Sequence, residues 1–321
     1  MQLKRKNWCY IAIVLILLGG ILFCVAMSSL GWNFGDLSTV KYETNTYDFS
    51  EEIKDIKITT ATADVKVLSW EENFVRVVCF EESKVKHQTS FSDGQLTVEK
   101  DDQRKWYDYI GLQFKTPSVT VYLPEKEYGL LSVKSSTGDI AVDKEFTFAA
   151  IDIVLSTGDV VCYADADSDI RIKVSTGDVL LEGVVATSIS ISTSTGDVLG
   201  YDISVEKDFT VDLTAGDTRL AAVSCGSFSS QADTGNLTLN SFVARESISI
   251  VRSTGDVIFR GCDGAEITVE TSTGDVLGSL LSGKTFSVRT STGKVKIPEN
   301  TEGGSCTVKT STGNILLNIV E

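Results

Sequence analysis

Residues 170–181 read IRIKVSTGDVLL, and 19 positions further on residues 189–200 read ISISTSTGDVLG. In the first phrase Ile170 and Ile172 lie seven and five residues before Gly177, and Val179 and Leu181 lie two and four after it. A period of two sends successive side chains to opposite faces, so each phrase reads as strand, turn, strand and not as helix. Outward from this pair the phrase continues, from SSTGDI at 135–140 to TSTGNI at 310–315. Its glycines are Gly138, Gly158, Gly177, Gly196, Gly216, Gly235, Gly255, Gly274, Gly293 and Gly313, always 19 or 20 residues apart. Of the 40 apolar template positions so defined, only Gly200, Thr218, Ser230 and Gly278 break the pattern.

A fixed period of this size signals stacked units, none of which can bury its apolar face alone. The local phrase also fits hairpins with Gly beside Asp or Asn in the turn. Yet the units are nearly identical, and no second turn recurs with comparable fidelity. Identical units stack in register, each strand on its equivalent one period later. The reading is therefore all-β: a parallel β-solenoid of 19–20 residues per coil over 131–321, close to 50 Å long at about 4.8 Å per coil. Residues 40–130 read as an irregular N-terminal β part or cap. Within them IKITTATADVKV (56–67) is a degenerate copy of the repeat, with strand candidates at 74–80, 95–99 and 118–123 separated by charged loops at 81–94 and 100–110.

Trp8 to Met27 is an uncharged run of 20 residues directly after Lys4-Arg5-Lys6. At 1.5 Å per residue it spans about 30 Å, the thickness of a bilayer's hydrocarbon core. The basic stub at 1–7 places the N-terminus in the cytoplasm. This predicts a single-pass membrane protein with residues 8–27 as the anchor, 28–39 as a linker and the solenoid outside the cytoplasm. A cleaved signal peptide is the competing reading, although its apolar core usually runs only about 7 to 15 residues.

The chain of 321 residues carries a formal charge of −15. Without Lys4, Arg5 and Lys6 it holds 26 basic residues against 44 acidic, a net −18. Nucleic-acid binding needs cations to displace counterions, so no nucleic-acid partner is expected. His87 is the single histidine, which excludes multi-histidine metal sites and most histidine-based catalysis. It reads as part of a charged loop. The repeat's acids, Asp139, Asp159, Asp178, Asp197, Asp217, Asp256 and Asp275, should line up at coil spacing, with Lys294 one coil beyond Asp275. They fit turn residues accepting backbone N–H groups, and alternatively a column able to hold Ca2+ through oxygen ligands. Trp70, Trp106, Tyr107 and Tyr109 read as a cover over the end of the solenoid, with sugar stacking as the alternative. Cys162 and Cys306 fall on inward positions, and Cys225 and Cys262 lie two coils apart, beyond disulfide reach. Cys79 falls in a strand candidate; Cys9 and Cys24 lie in the anchor. No catalytic residue, cofactor or metal ligand is assigned.

The N-terminal anchor, VTVYLP at 119–124 and LLSVKSSTGDI leading into serial STGDV phrases together resemble the bacterial "putative adhesin" β-strand-repeat proteins with toastrack-type domains. The resemblance covers about 40–321 and implies a right-handed parallel β-helix in an envelope protein, with relatives that often accompany envelope stress systems and no catalytic motif to carry over. The expected function is a non-catalytic interaction or sensing module of the bacterial cell envelope. Its expected partner is an envelope protein or a cell-wall polysaccharide. The alternatives are a carbohydrate-active β-helix enzyme and a structural spacer.

Overall fold

The computed structural model describes residues 2–29, 31–32, 40–106, 115–299 and 302–320. The alternating repeat folds as a parallel β-solenoid. Ile170 pairs with Ile189 and Ile172 with Ile191 on one side of the coil, and Val179 with Val198 beyond the glycine corner. The template side chains enter one continuous core, where the rings of Phe209, Phe228 and Phe242 follow one another at 5.7 and 4.8 Å. The position three before each glycine also points inward, as Val174, Thr193 and Leu213 show. At the corner Gly177 has φ +141°, and a Cβ there would lie 1.9 Å from the carbonyl oxygen of Gly158. No side chain fits that approach, whatever the backbone angle.

Five successive coils share a second corner that the sequence conceals. Six residues after the repeat glycine the backbone is left-handed at Gly183 (φ 69°), Asp202 (54°), Ala222 (55°), Ser241 (50°) and Gly261 (63°). Four residue types share the place, so no phrase marks it. Three of the four template breaks have local causes. A Cβ on Gly200 would meet the side chains of Leu220 and Ile203 at 2.6 and 2.8 Å, Gly278 sits at φ +130° against the backbone of Phe259, and Ser230 serves the buried Arg252.

At the N-terminal end the degenerate copy is a true coil, with Ile56 on Leu131 and Val65 on Ile140. Below it lie Gln95–Asp102 and Ser118–Pro124, still parallel. Antiparallel strands then follow: Val85–Ser92 on Gln95–Asp102, and Val75–Glu82 between Ser118–Pro124 and Tyr42–Phe49. The expected loop at 81–94 is thus largely strand, turned through Asp93 (φ 52°) and Gly94 (φ 81°), the geometry of a two-residue hairpin. Of the second expected loop, residues 107–110 lie outside the described residues.

The C-terminal end corrects the expected order of coils. Ile267 pairs with Cys306, and Cys306 with Phe286 on its other side; Val276 pairs with Ile315, and Ile315 with Val295. The last coil in sequence is therefore inserted, and residues 284–297 form the outermost one. Their composition explains it. Lys294, Lys296 and Pro298 suit an edge strand that must not pair further, whereas Cys306, Val308, Ile315 and Leu317 are all but fully buried. Val295, inward by the template, is 46% exposed for this reason.

The N-terminal helix runs Gln2–Ser29, and Tyr10–Ser29 is long and apolar enough to cross a membrane, with a mean hydropathy of 2.8. It ends where Gly31 (φ 59°) and Trp32 donate N–H bonds back to the Ser28 and Met27 carbonyls.

Candidate functional site

Three features stand out against the repeat: the aspartate column, a hollowed face and a buried polar cluster in the N-terminal strands. In the column, each residue after the glycine donates its backbone N–H to the side chain of the coil before. Asp178 N–H reaches Asp159 Oδ1 at 2.8 Å, Asp197 N–H reaches Asp178 Oδ1 at 2.7 Å, and Asp217 N–H reaches Asp197 Oδ1 at 2.8 Å. Asn236 and Asn314 supply the same oxygen to Asp256 and Lys294. Lys294 is therefore two coils beyond Asp275, with Asn314 between them. Arg219 bridges Asp197 and Asp217 and offsets part of the charge.

Four and two residues before each glycine, side chains face outward and form two parallel rows. Along them lie two hollows. One, of about 330 Å3, is lined by Ser192, Ser194, Asp212, Thr214, Gln231 and Asp233. The next coils continue it into a second, of about 560 Å3, with Glu270, Ser272, Arg289 and Lys309 among its lining. One end of the pair is thus acidic, and the other carries Arg289 and a Lys309–Glu270 pair at 2.7 Å. Burial raises the Asp212 carboxyl above its ordinary range.

Behind this face Arg252 occupies an inward position at 2% exposure. It donates to the Gly235 carbonyl and to Ser230 Oγ, both at 3.1 Å, while its Nε has no partner among the described residues. Burial lowers its pKa to about 10 against the opposing effect of Asp217.

The third feature was not legible as a site. His87 is not in a charged loop: it is buried on Val85–Ser92, with Nδ1 2.8 Å from Glu81 Oε2 and Nε2 3.0 Å from Thr60 Oγ1. Cys79 and Glu81 alternate on the neighbouring strand, so they share one face. Burial, with the nearby Glu81, pushes the Cys79 thiol up to about 12. The signal was available only as C-x-E-x5-H, a spacing that means nothing until the two strands turn back on each other.

Of the aromatic set, two members are among the described residues. Trp70 packs against Phe74 and Tyr122 beneath the Arg76 guanidinium, Trp106 is 78% exposed, and Tyr107 and Tyr109 lie outside the described residues. Cys162, Cys225, Cys262 and Cys306 are buried free thiols.

The sequence profile of the family described as Toastrack DUF4097 matches residues 53–240 and 200–321. No curated protein matches the chain. Among solved structures, it is similar to a "putative adhesin" from Bacteroides fragilis at 13% identity and a TM-score of 0.44, over 87% of this chain and 97% of that one. It is similar to a "putative lipid binding protein" from Parabacteroides distasonis at 13% identity and a TM-score of 0.45, over 88% and 98%. Neither name is that of an enzyme. The two profile matches together run from residue 53 to residue 321, and on that span the chain belongs to the Toastrack DUF4097 family.

Proposed function

We propose that the chain is a membrane-tethered, non-catalytic binding module of the bacterial cell envelope, held by its N-terminal helix with the solenoid outside the cytoplasm. Its hollowed face is the binding surface, and an extended cell-wall polysaccharide is the ligand. The observation that carries this reading is the pair of aligned hollows, whose hydroxyl, carboxylate and cationic groups repeat at coil spacing along one straight face. A polymer of polar units can be met there by many weak hydrogen bonds in series, with affinity growing through the number of units engaged. The basic residues before the helix, with no Lys or Arg over 28–40 after it, support the orientation.

The test is co-sedimentation of the full chain, in detergent, with purified insoluble cell-wall polysaccharide. Ser272→Trp fills the larger hollow and should weaken binding at least about tenfold, roughly 1.4 kcal/mol. Asn240→Trp, outside both hollows, should leave it unchanged. Equal binding by both variants, or none by the parent chain, would reject the assignment.

A further inference from the structure

Cys79, Glu81 and His87 are the one group among the described residues whose Sγ, carboxylate oxygen and ring nitrogen all lie within 4.8 Å of one another. All three are at most 3% exposed. A fully buried carboxylate costs several kcal/mol unless it is neutralised, and most other inward positions of the solenoid are Val, Ile, Leu or Phe. We propose that these three side chains form a divalent metal site, with Zn2+ as its natural occupant.

The donor chemistry selects the ion. Thiolate, imidazole and carboxylate together suit a borderline cation, which zinc is. A thiolate and a carboxylate supply two negative charges against its two positive ones, so the loaded cluster is neutral overall and tolerable in a core. The surroundings are already arranged as a supporting shell. Asn45 Nδ2 donates to Glu81 Oε1 at 2.7 Å and the His87 backbone N–H donates to Glu81 Oε2 at 2.6 Å, so both oxygens are held in place and Oε2 keeps a second lone pair for the cluster. Thr60 Oγ1 engages His87 Nε2 at 3.0 Å, leaving Nδ1 as the ligand atom. Ligating histidines are usually oriented through their second nitrogen in this way. The present Nδ1 to Oε2 contact of 2.8 Å requires a proton between the two atoms, and the metal takes that place. On binding, the thiol proton leaves to solvent and the ring proton resides on Nε2, facing Thr60; a water completes the coordination. The ion would tie Val75–Glu82 to Val85–Ser92 and, through Thr60, to the first coil.

The experiment uses the full chain in detergent, stripped with a chelator and reloaded with Zn2+ or Co2+. After desalting, elemental analysis should give close to one metal per chain, the melting temperature should rise on loading, and the Co2+ form should show a sulfur-to-cobalt charge-transfer band with four-coordinate ligand-field bands. Cys79→Ser should abolish the charge-transfer band, and Thr60→Val, which removes no ligand, should weaken retention about 10- to 100-fold. If Cys79→Ser fails to fold, the cobalt spectrum of the parent chain and the retention by Thr60→Val decide alone. Retention well below one metal per chain, a cobalt spectrum lacking the sulfur band, or undiminished binding by Cys79→Ser would overturn the proposal and leave a buried Glu81–His87 pair.

Discussion

Asp178 accepts the Asp197 amide at 2.7 Å and donates its own to Asp159 at 2.8 Å, so one residue spans three coils. Only the oxygen is needed for the first contact, as Asn236 and Asn314 demonstrate at equivalent places. Asp178→Asn should therefore change stability by less than about 0.5 kcal/mol, while Asp178→Ala, which removes the acceptor, should cost about 1 kcal/mol. Urea unfolding of the two variants distinguishes them; equal losses would mean that the carboxylate's charge, and not its oxygen, is what the column uses. The same logic explains Lys294. A side chain in the outermost coil has no further amide to receive, so it alone in the regular repeats need not be Asp or Asn. That departure was readable from the sequence as a mark of the terminal coil. It is masked because Lys294 precedes Asn314 in the chain, so chain order and spatial order differ there.

Among elements, the parallel coils were legible because one residue class, apolar, recurs at fixed offsets from one glycine. The second corner was not, because Gly183, Asp202, Ala222, Ser241 and Gly261 satisfy the same left-handed backbone with different side chains. Nor was the strand Val85–Ser92, whose KVKHQTS carries charge and its one imidazole where the core turns polar. The inserted C-terminal coil gives the most direct test at this scale. Glu270 pairs in register with Lys309, and Lys309 in turn with Arg289. Glu270→Cys with Lys309→Cys should crosslink on mild oxidation, since neighbouring parallel strands fall within the reach of a disulfide. Glu270→Cys with Arg289→Cys, about 10 Å apart, should not. The opposite outcome would restore simple sequential stacking.

At the scale of the molecule, acid should act unevenly. Hydrogen bonds from Arg104 hold the Asp102 carboxyl well below the usual carboxylate range; a hydrogen bond from Arg76 lowers Asp48, and hydrogen bonds from Lys86 and Asn45 lower Glu43. All three lie in the N-terminal strands; in the coils Asp263 is lowered too, its burial outweighed by hydrogen bonds from Lys284, Ser282 and the Gly264 N–H. A carboxyl whose pKa is depressed on folding contributes stability that is complete above its unfolded value, about 4, and lost as pH falls through the folded one. Asp212, in the hollowed face, is shifted the other way and does not add to this loss. As pH falls below about 4, then, amide exchange should accelerate first in residues 42–102, ahead of the coils at 150–280. Uniform acceleration would show that general charge, not these pairs, governs the acid response.

The inserted coil also sets a clock on biosynthesis. Coils from residue 131 to about 280 can be laid down one upon another as the chain emerges, each new one finding its seat ready. Residues 284–297 arrive next, but their final neighbour does not yet exist. They must wait undocked, or dock on the wrong coil and later give way, until residues 304–319 have been made. Chains made to residue 300 and to residue 320 therefore expose different surfaces, and only once residues 304–319 are seated is the lysine-bearing edge, which resists joining another of its kind, in place.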